Sequence, residues 1–222
     1  MMHSKALTAL VLALANGAAS AAVLFSTYGL SDSFNSHVLQ YVGWGDVIGQ
    51  PFQDRQVANR FTVSQAAELT HFRVQVSRFT GGLGDQEAFF SLWSGDTQPA
   101  SLVEEALSFH TGSGLASTVE LDSVAHPLLS PDETYWLVLA APSPNLFRWY
   151  YSDQAPAAGW EIQYRFGTDP WSLAGSIASA FDVNGTPRAM PEPPSVALVL
   201  GVAALAGFAW RRTGPRRSDR AL

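Results

Sequence analysis

The stretch "HFRVQVS" (residues 71–77) decides the fold class, because its apolar and polar side chains alternate strictly. Phe72, Val74 and Val76 occupy every second position, and polar residues stand between them. Successive side chains of a β-strand point to opposite faces of a sheet, so this period of two predicts a strand with one buried face.

Similar runs recur along the middle of the chain, at 57–64, 88–95, 105–111, 117–123, 134–141, 146–152, 160–166 and 179–185. Segments rich in glycine, proline, serine and aspartate separate them, as turns require. Regular spacing without a long helical period predicts an all-β fold, an antiparallel β-sandwich of jelly-roll type over residues 22–188. "TYWLVLAA" (134–141) is apolar on both faces, which predicts a central strand.

The run "WEIQYRF" (160–166) makes the sharpest prediction about faces. One face is expected to be buried and carries Trp160, Ile162, Tyr164 and Phe166. The other is expected to face solvent and carries Glu161, Gln163 and Arg165.

Composition limits the functional classes. Of the 222 residues, 47% are apolar, 14% are charged and none is cysteine, which excludes both disorder and a disulfide framework. Residues 22–190 carry seven arginines and seventeen acidic residues, a net charge of −10. An acidic domain repels phosphate backbones, so nucleic-acid binding is not expected.

The N-terminus has the layout of a secretory signal peptide. Lys5 supplies a positive charge, residues 6–15 form an apolar run, and Ala19-Ser20-Ala21 is a small-residue cleavage pattern. We expect residues 1–21 to be removed by cleavage after Ala21, with cleavage after Ala22 as the second choice. The alternative is an uncleaved N-terminal anchor.

The C-terminus predicts a membrane span. Residues 195–210 contain no charge, and Arg211, Arg212, Arg216 and Arg217 follow. Sixteen helical residues rise about 24 Å, slightly less than a hydrocarbon core of about 30 Å. The positive-inside rule keeps the tail (213–222) in the cytoplasm and residues 22–190 outside. The alternative is a buried core helix.

These C-terminal features come in a recognisable order: Pro191-Glu192-Pro193, then Ser195, a short span rich in glycine and alanine, and Trp210-Arg211-Arg212. Residues 189–212 thereby resemble the PEP-CTERM sorting signal of Gram-negative bacteria. The resemblance implies export by signal peptidase, transient anchoring in the inner membrane and removal of the tail by an exosortase. It also implies an association with exopolysaccharide, in the periplasm, at the outer surface or in the extracellular matrix.

The exported part also resembles a second family. The elements "NRFTV" (59–63), "FFSLWSGDTQPAS" (89–101), "LSPDETYWLVLAAP" (129–142) with "FRWYY" (147–151), and "SAFDVNG" (179–185) follow the order seen in choice-of-anchor R domains. The resemblance implies a β-rich extracellular domain without a known activity.

Motifs for catalysis are absent from the sequence. The five histidines (3, 37, 71, 110 and 126) form no metal-ligand spacing, and neither a G-x-S-x-G elbow nor a cysteine nucleophile occurs. The sequence assigns no catalytic residue, no cofactor and no metal ligand. Calcium is an open alternative, bound by turn acids that we list as Asp85, Glu87, Asp96, Asp132 and Glu133.

Aromatic side chains suggest the one specific binding hypothesis. The exported part holds six tryptophans, and aromatic rings on a sandwich face stack against sugars. The candidate glycan contacts are Trp149, Tyr150, Trp160 and Trp171, whereas the alternative is core packing. The sequence therefore predicts a structural envelope or matrix protein rather than an enzyme, with a carbohydrate-binding module as the second interpretation and an enzyme of unknown class as the third.

Overall fold

The computed structural model describes residues 21–47, 50–79, 86–111 and 116–188 of the chain. Within these ranges the chain is built of strands, with a single 3-10 turn at Leu30–Asp32. The strands are β1 (Ala22–Ser26), β2 (Phe34–Val47), β3 (Gln50–Phe61), β4 (Ala67–Arg78), β5 (Gln86–Ser94), β6 (Ser101–Thr111), β7 (Ser117–Asp122), β8 (Leu128–Leu129), β9 (Tyr135–Ala140), β10 (Leu146–Ser152), β11 (Ile162–Phe166), β12 (Ser172–Gly175) and β13 (Phe181–Pro187).

All thirteen strands belong to one hydrogen-bonded sheet, and every pairing between them is antiparallel. The main order is β1-β13-β4-β10-β2-β3-β9-β5-β6, with β11 beside β3, β12 beside β11, and β7 and β8 beside β4. The predicted all-β, antiparallel class is therefore confirmed.

The strand that contains "HFRVQVS" is central, because β4 pairs along both edges. One edge meets β13 and β10, and the other meets β7 and β8. Phe72, Val74 and Val76 are buried, as the alternation predicts. Gln75 and Ser77 on the other face are buried as well, and both have hydrogen-bonding partners there. Gln75 accepts a hydrogen bond from Thr118, and the Ser77 hydroxyl lies 2.9 Å from that of Tyr150.

The main core lies where the sheet folds over one of its own faces. Phe61 of β3 is 5.6 Å from Phe25 of β1, measured between ring centroids, although four strands separate β1 from β3 in the sheet order. Phe90 of β5 meets Trp149 of β10 edge to face at 5.0 Å. Aromatic pairs at these distances contribute beyond the area they bury.

The predicted strands are present with shifted bounds. The run 146–152 matches β10 residue for residue, whereas β3 begins seven residues before the predicted start at Val57. β9 is buried at Tyr135–Leu139 and pairs with both β3 and β5, so the prediction of a central strand is confirmed. β1, β2, β8 and β12 were not predicted.

Both ends of the described domain meet at one edge of the sheet. β1 pairs with β13, with Ala22 opposite Gly185 and Ser26 opposite Asp182. Just past β1, the Thr27 hydroxyl donates to the Ser179 carbonyl at 2.6 Å. The first and last described strands therefore lie side by side.

No helix in the described ranges is both long and apolar enough to cross a membrane. The predicted span at 195–210 and the whole sorting signal (189–212) fall outside those ranges, and so does Ala19 of the signal-peptide cleavage pattern. Ala21, at the predicted signal cleavage site, is exposed and directly precedes β1.

Candidate functional site

A second apolar cluster lies on the side of the sheet that faces away from the main core. Along β9, Leu137 and Leu139 belong to the main core, whereas Trp136 and Val138 pack with Ala58 of β3 in the separate cluster. Alternation along the strands produces this division. Trp93 of β5 and Trp171, just before β12, pack against the second cluster and are partly exposed. We call the surface formed by Trp93, Trp136 and Trp171 the tryptophan face.

A loop covers the middle of the tryptophan face. The Trp136 indole Nε1–H donates to the carbonyl of Gly95 at 2.7 Å, and the Gln163 amide donates to the carbonyl of Thr97 at 2.6 Å. The loop after β5 is thus held over the sheet by two side chains from the strands beneath it. Trp136 is consequently buried, and Trp93 and Trp171 remain as the accessible rings.

The same contacts correct the prediction for "WEIQYRF". Gln163 is only 6% exposed, so its face of β11 does not look into solvent as predicted. Ile162 is buried as expected, but Phe166 is exposed at the end of the strand. Trp160 precedes β11 and is partly exposed. Gln163 is buried because the loop after β5 covers this side of β11, where the Gln163 amide donates to the Thr97 carbonyl.

Each of the two accessible rings has a polar side chain beside it. The Arg165 guanidinium lies over the Trp171 ring, 4.6 Å from its centroid, while its Nε donates to Gln56 at 2.9 Å. Burial lowers the pKa of Arg165 below its ordinary value, and nearby Asp54 opposes that shift. The Trp93 indole Nε1–H donates to the Ser91 hydroxyl at 2.8 Å. Aromatic rings with guanidinium and hydroxyl groups beside them suit a polyhydroxylated ligand.

The structure disperses the predicted glycan contacts. Trp149 is fully buried in the main core, and its indole Nε1–H donates to the Ala180 carbonyl at 3.3 Å. Tyr150 is buried too, with its hydroxyl 2.9 Å from that of Ser77. Neither side chain is accessible to a ligand, so the prediction is corrected for both. Trp171 lies on the tryptophan face, whereas Trp160 is partly exposed and is not part of the second cluster. The sequence interpretation did not include Trp93, which packs against the same cluster as Trp171.

A network of charged side chains connects β4 and β13 with the 3-10 turn. Arg73 of β4 binds two carboxylates, through Nε to Asp182 at 2.8 Å and through NH1 and NH2 to Asp32 at 2.8 and 2.9 Å. Asp182 is buried and Asp32 is exposed. Burial, followed by the charge of Asp182, raises the pKa of the Tyr28 hydroxyl above its ordinary value. The arrangement joins β4, β13 and the 3-10 turn.

One group of metal-ligating side chains lies on the adjoining pair of strands. His71 of β4 and Glu120 and Asp122 of β7 each place one ligand atom within 4.8 Å of the others. His71 Nε2 is 3.8 Å from Glu120 Oε1. Both carboxylates are exposed and the histidine is half-buried. His71 lies 49 and 51 positions before the two carboxylates, so no local spacing motif in the sequence indicates the group.

The acidic residues named as calcium candidates are not gathered in this way. Within the described ranges, Glu87, Asp96, Asp132 and Glu133 belong to no group of three ligands, and Asp85 lies outside those ranges. Glu133 instead accepts a hydrogen bond from the Tyr135 hydroxyl at 2.6 Å.

No protein-family model and no curated protein matches the chain. The tryptophan face, the His71 group and the motifs at the two ends of the sequence are the features that bear on function.

Proposed function

We propose that the chain is an exported envelope protein, sorted through a PEP-CTERM signal, whose β domain associates with exopolysaccharide through the tryptophan face. Signal peptidase and an exosortase process it, and it is anchored only transiently in the inner membrane. The folded-over sheet is a β-sandwich of jelly-roll type, and the domain has a binding and structural role without catalysis.

Export and sorting are supported by the order of the sequence features. A positive charge, an apolar run and Ala19-Ser20-Ala21 come first, and Pro191-Glu192-Pro193 precedes a short uncharged span that ends at Trp210-Arg211-Arg212. A span slightly shorter than the bilayer core suits a temporary stop.

The observation that supports glycan association is the placement of Trp93 and Trp171 around buried Trp136, outside the main core. Large aromatic side chains in the main core explain its packing, but these two rings pack against the opposite side of the sheet and remain partly exposed. Both rings pack against the second cluster, Trp93 donates to Ser91, and Trp171 lies beneath the Arg165 guanidinium. A ligand would therefore bind without first ordering the site, which lowers the entropic cost.

Binding of the full purified chain to exopolysaccharide from its native host tests the glycan association. We expect Trp93→Ala and Trp171→Ala each to weaken binding about tenfold or more, the effect typical of a central aromatic contact. Trp44→Ala is the matched control, because Trp44 is an exposed tryptophan on β2 that does not belong to the tryptophan face. Circular dichroism of each variant establishes that it is folded.

Two results would contradict the glycan association. The wild-type chain would show no binding, or the three variants would bind equally well. Either outcome would leave a passive structural role in the matrix as the function of the domain.

Mass spectrometry of the mature protein from its native host tests the sorting part separately. We expect the mature chain to lack Ser195 to Leu222. A membrane-bound mature chain that still ends at Leu222 would identify a permanent anchor instead.

A further inference from the structure

We propose that His71, Glu120 and Asp122 form a binding site for a divalent transition-metal ion, with Zn²⁺ as its representative. The site lies on the outward surface of β4 and β7 and is independent of the proposed glycan association. Its ligand atoms are one imidazole nitrogen and two carboxylate oxygens, all within 4.8 Å of one another.

The pairing of β4 with β7 brings the three side chains together. His71 lies directly opposite Asp122, and the next pair on the same face is Arg73 opposite Glu120. Directly opposed residues of antiparallel strands project their side chains to the same side, and positions two apart on one strand do so too. The hydrogen-bonded ladder runs from His71 to Val76, so the backbone that carries the ligands is fixed.

The imidazole is oriented for ligation. His71 Nδ1 lies 3.2 Å from the Thr70 hydroxyl, whereas Nε2 is directed toward Glu120. In the tautomer with a proton on Nδ1, that N–H donates to Thr70 and Nε2 keeps its lone pair. Metal-binding histidines commonly have their second nitrogen held in this way.

The three ligand atoms lie close enough for side-chain rotation to bring them onto one small ion. Bonds from zinc to imidazole nitrogen and carboxylate oxygen measure about 2.0–2.2 Å, so the ligand atoms of a tetrahedral ion lie about 3.5 Å apart. The 3.8 Å between His71 Nε2 and Glu120 Oε1 is close to this separation. The other separations are at most 4.8 Å and need to shorten by about an ångström, which rotation of the exposed carboxylates supplies.

Charge and donor type favour a transition metal over the simpler alternative, a surface ion pair between His71 and Glu120. Arg73 stands opposite Glu120, but its nitrogens are occupied by Asp32 and Asp182. In the described part of the chain, His71 is thus the one basic side chain within ion-pair distance of Glu120 or Asp122. A divalent ion would neutralise both carboxylates, and a nitrogen ligand favours zinc and its neighbours over calcium or magnesium.

Binding would fasten β7 to the sheet. Within the described ranges β7 is hydrogen-bonded to β4 alone, and the ion would add a second link between the two strands. An ion that binds the folded chain but not the unfolded chain raises thermal stability.

Titration of the full chain with Zn²⁺, purified without a polyhistidine tag, tests the site. We expect about one equivalent to bind and to raise the midpoint of thermal unfolding. His71→Gln and Asp122→Asn should each weaken zinc binding at least about tenfold, because loss of a group that only orients a metal ligand already has an effect of that size. Calcium at the same concentrations should not compete.

His110→Gln is the matched control. His110 is exposed on β6 and lies opposite Glu87 of β5, so a histidine and a carboxylate occupy directly opposed positions there, and the two belong to no group of three ligands in the described ranges. Zinc affinity should remain unchanged in this variant. Should His71→Gln fail to fold, Asp122→Asn decides, because the Asp122 side chain is exposed and makes no hydrogen bond to another described residue.

Three outcomes would overturn the site. The wild-type chain would bind no zinc at micromolar concentrations, or the folded ligand variants would bind as the wild type does, or calcium would displace zinc. The last result would indicate a hard-cation site that makes no use of His71.

Discussion

Arg73 and Asp182 form an ion pair whose acidic member is almost completely shielded, since the Asp182 side chain is 1% exposed. The arginine itself reaches solvent and also binds Asp32, an exposed carboxylate of the 3-10 turn. One guanidinium thus joins a buried carboxylate and an exposed carboxylate, which allows the two kinds of ion pair to be compared within one protein.

The first prediction uses this comparison. Asp182→Asn should lower the free energy of unfolding by about 2–4 kcal/mol, because breaking a buried ion pair leaves the Arg73 charge poorly compensated. The loss is kept moderate because Arg73 has some access to water. Asp32→Asn should cost about 1 kcal/mol or less, as exposed pairs do. Urea denaturation of the full chain measures both values, and equal costs would contradict the assigned burial of Asp182.

The second prediction concerns the loop that covers Trp136. Gln163→Ala should destabilise the fold by about 1–2 kcal/mol, because its amide holds the loop through the Thr97 carbonyl. Loss of that hydrogen bond should also make Trp136 more accessible to a fluorescence quencher. Asp96→Ala, an exposed change in the same loop, should alter stability by no more than about 0.5 kcal/mol. Should both variants behave alike, the hydrogen bond does not hold the loop.

The third prediction compares neighbouring positions at the start of β11. Ile162→Ala should cost about 2–5 kcal/mol, because Ile162 is buried in the main core. Trp160→Ala should cost less, since Trp160 is partly exposed and precedes the strand. Thermal or urea unfolding gives the order, and a larger loss at Trp160 would restore the original alternation across 160–166.

The fourth prediction is a pH dependence. The Tyr135 hydroxyl donates to Glu133 and accepts from the backbone N–H of Ser130, and burial together with Glu133 raises the pKa of Tyr135 to about 12. An unfolded tyrosine has a pKa of about 10, so the unfolded chain loses this proton first. The free energy of unfolding should therefore fall as the pH rises from about 10 to about 12.

Tyr135→Phe provides the check on that slope. Burial also raises the pKa values of Tyr28 and Tyr151, so the variant should show a shallower fall without abolishing it. Urea unfolding at several alkaline pH values measures the slope. Identical slopes for variant and wild type would mean that Tyr135 titrates as it does in the unfolded chain.

The fifth prediction separates recognition of the tail from its retention in the membrane. Replacing Pro191, Glu192 and Pro193 with alanine should leave the uncharged span intact and stop processing, so full-length protein should accumulate in the inner membrane. Fractionation of the native host followed by immunoblotting measures this. If the tripeptide were only a rigid linker, the substitution would change neither the location nor the mass of the protein.

The fold class was predictable because alternation is a local property of the sequence. "HFRVQVS" and "TYWLVLAA" specify their strands without reference to any partner. β2 escaped prediction because Gly43 and Gly45 interrupt its apolar pattern, and glycine in a sequence more often marks a turn than a strand. In the structure Gly43 lies at a register shift, with φ +102°, where an added Cβ would meet the Asn145 carbonyl.

The candidate sites were less predictable because they depend on which strands become neighbours. Trp149 and Trp93 look alike in the sequence, yet one fills the main core and the other lies at the surface. The difference is that Trp149 points to the side of the sheet that folds into the main core, whereas Trp93 points to the opposite side. Alternation within one strand does not show which side becomes the main core. His71 meets Glu120 and Asp122 for the same reason, since only the pairing of β4 with β7 joins them.

The pairing of Ala22 with Gly185 has a mechanical consequence. A load that pulled residues 22 and 187 apart would open the antiparallel β1–β13 ladder one hydrogen bond at a time, like a zipper, which requires little force. A load between residue 187 and a point on another strand of the sheet would act on β13, which has β1 on one side and β4 on the other. Its hydrogen bonds to both neighbours would then share the tension, so the domain would resist extension better than when it is pulled at residues 22 and 187.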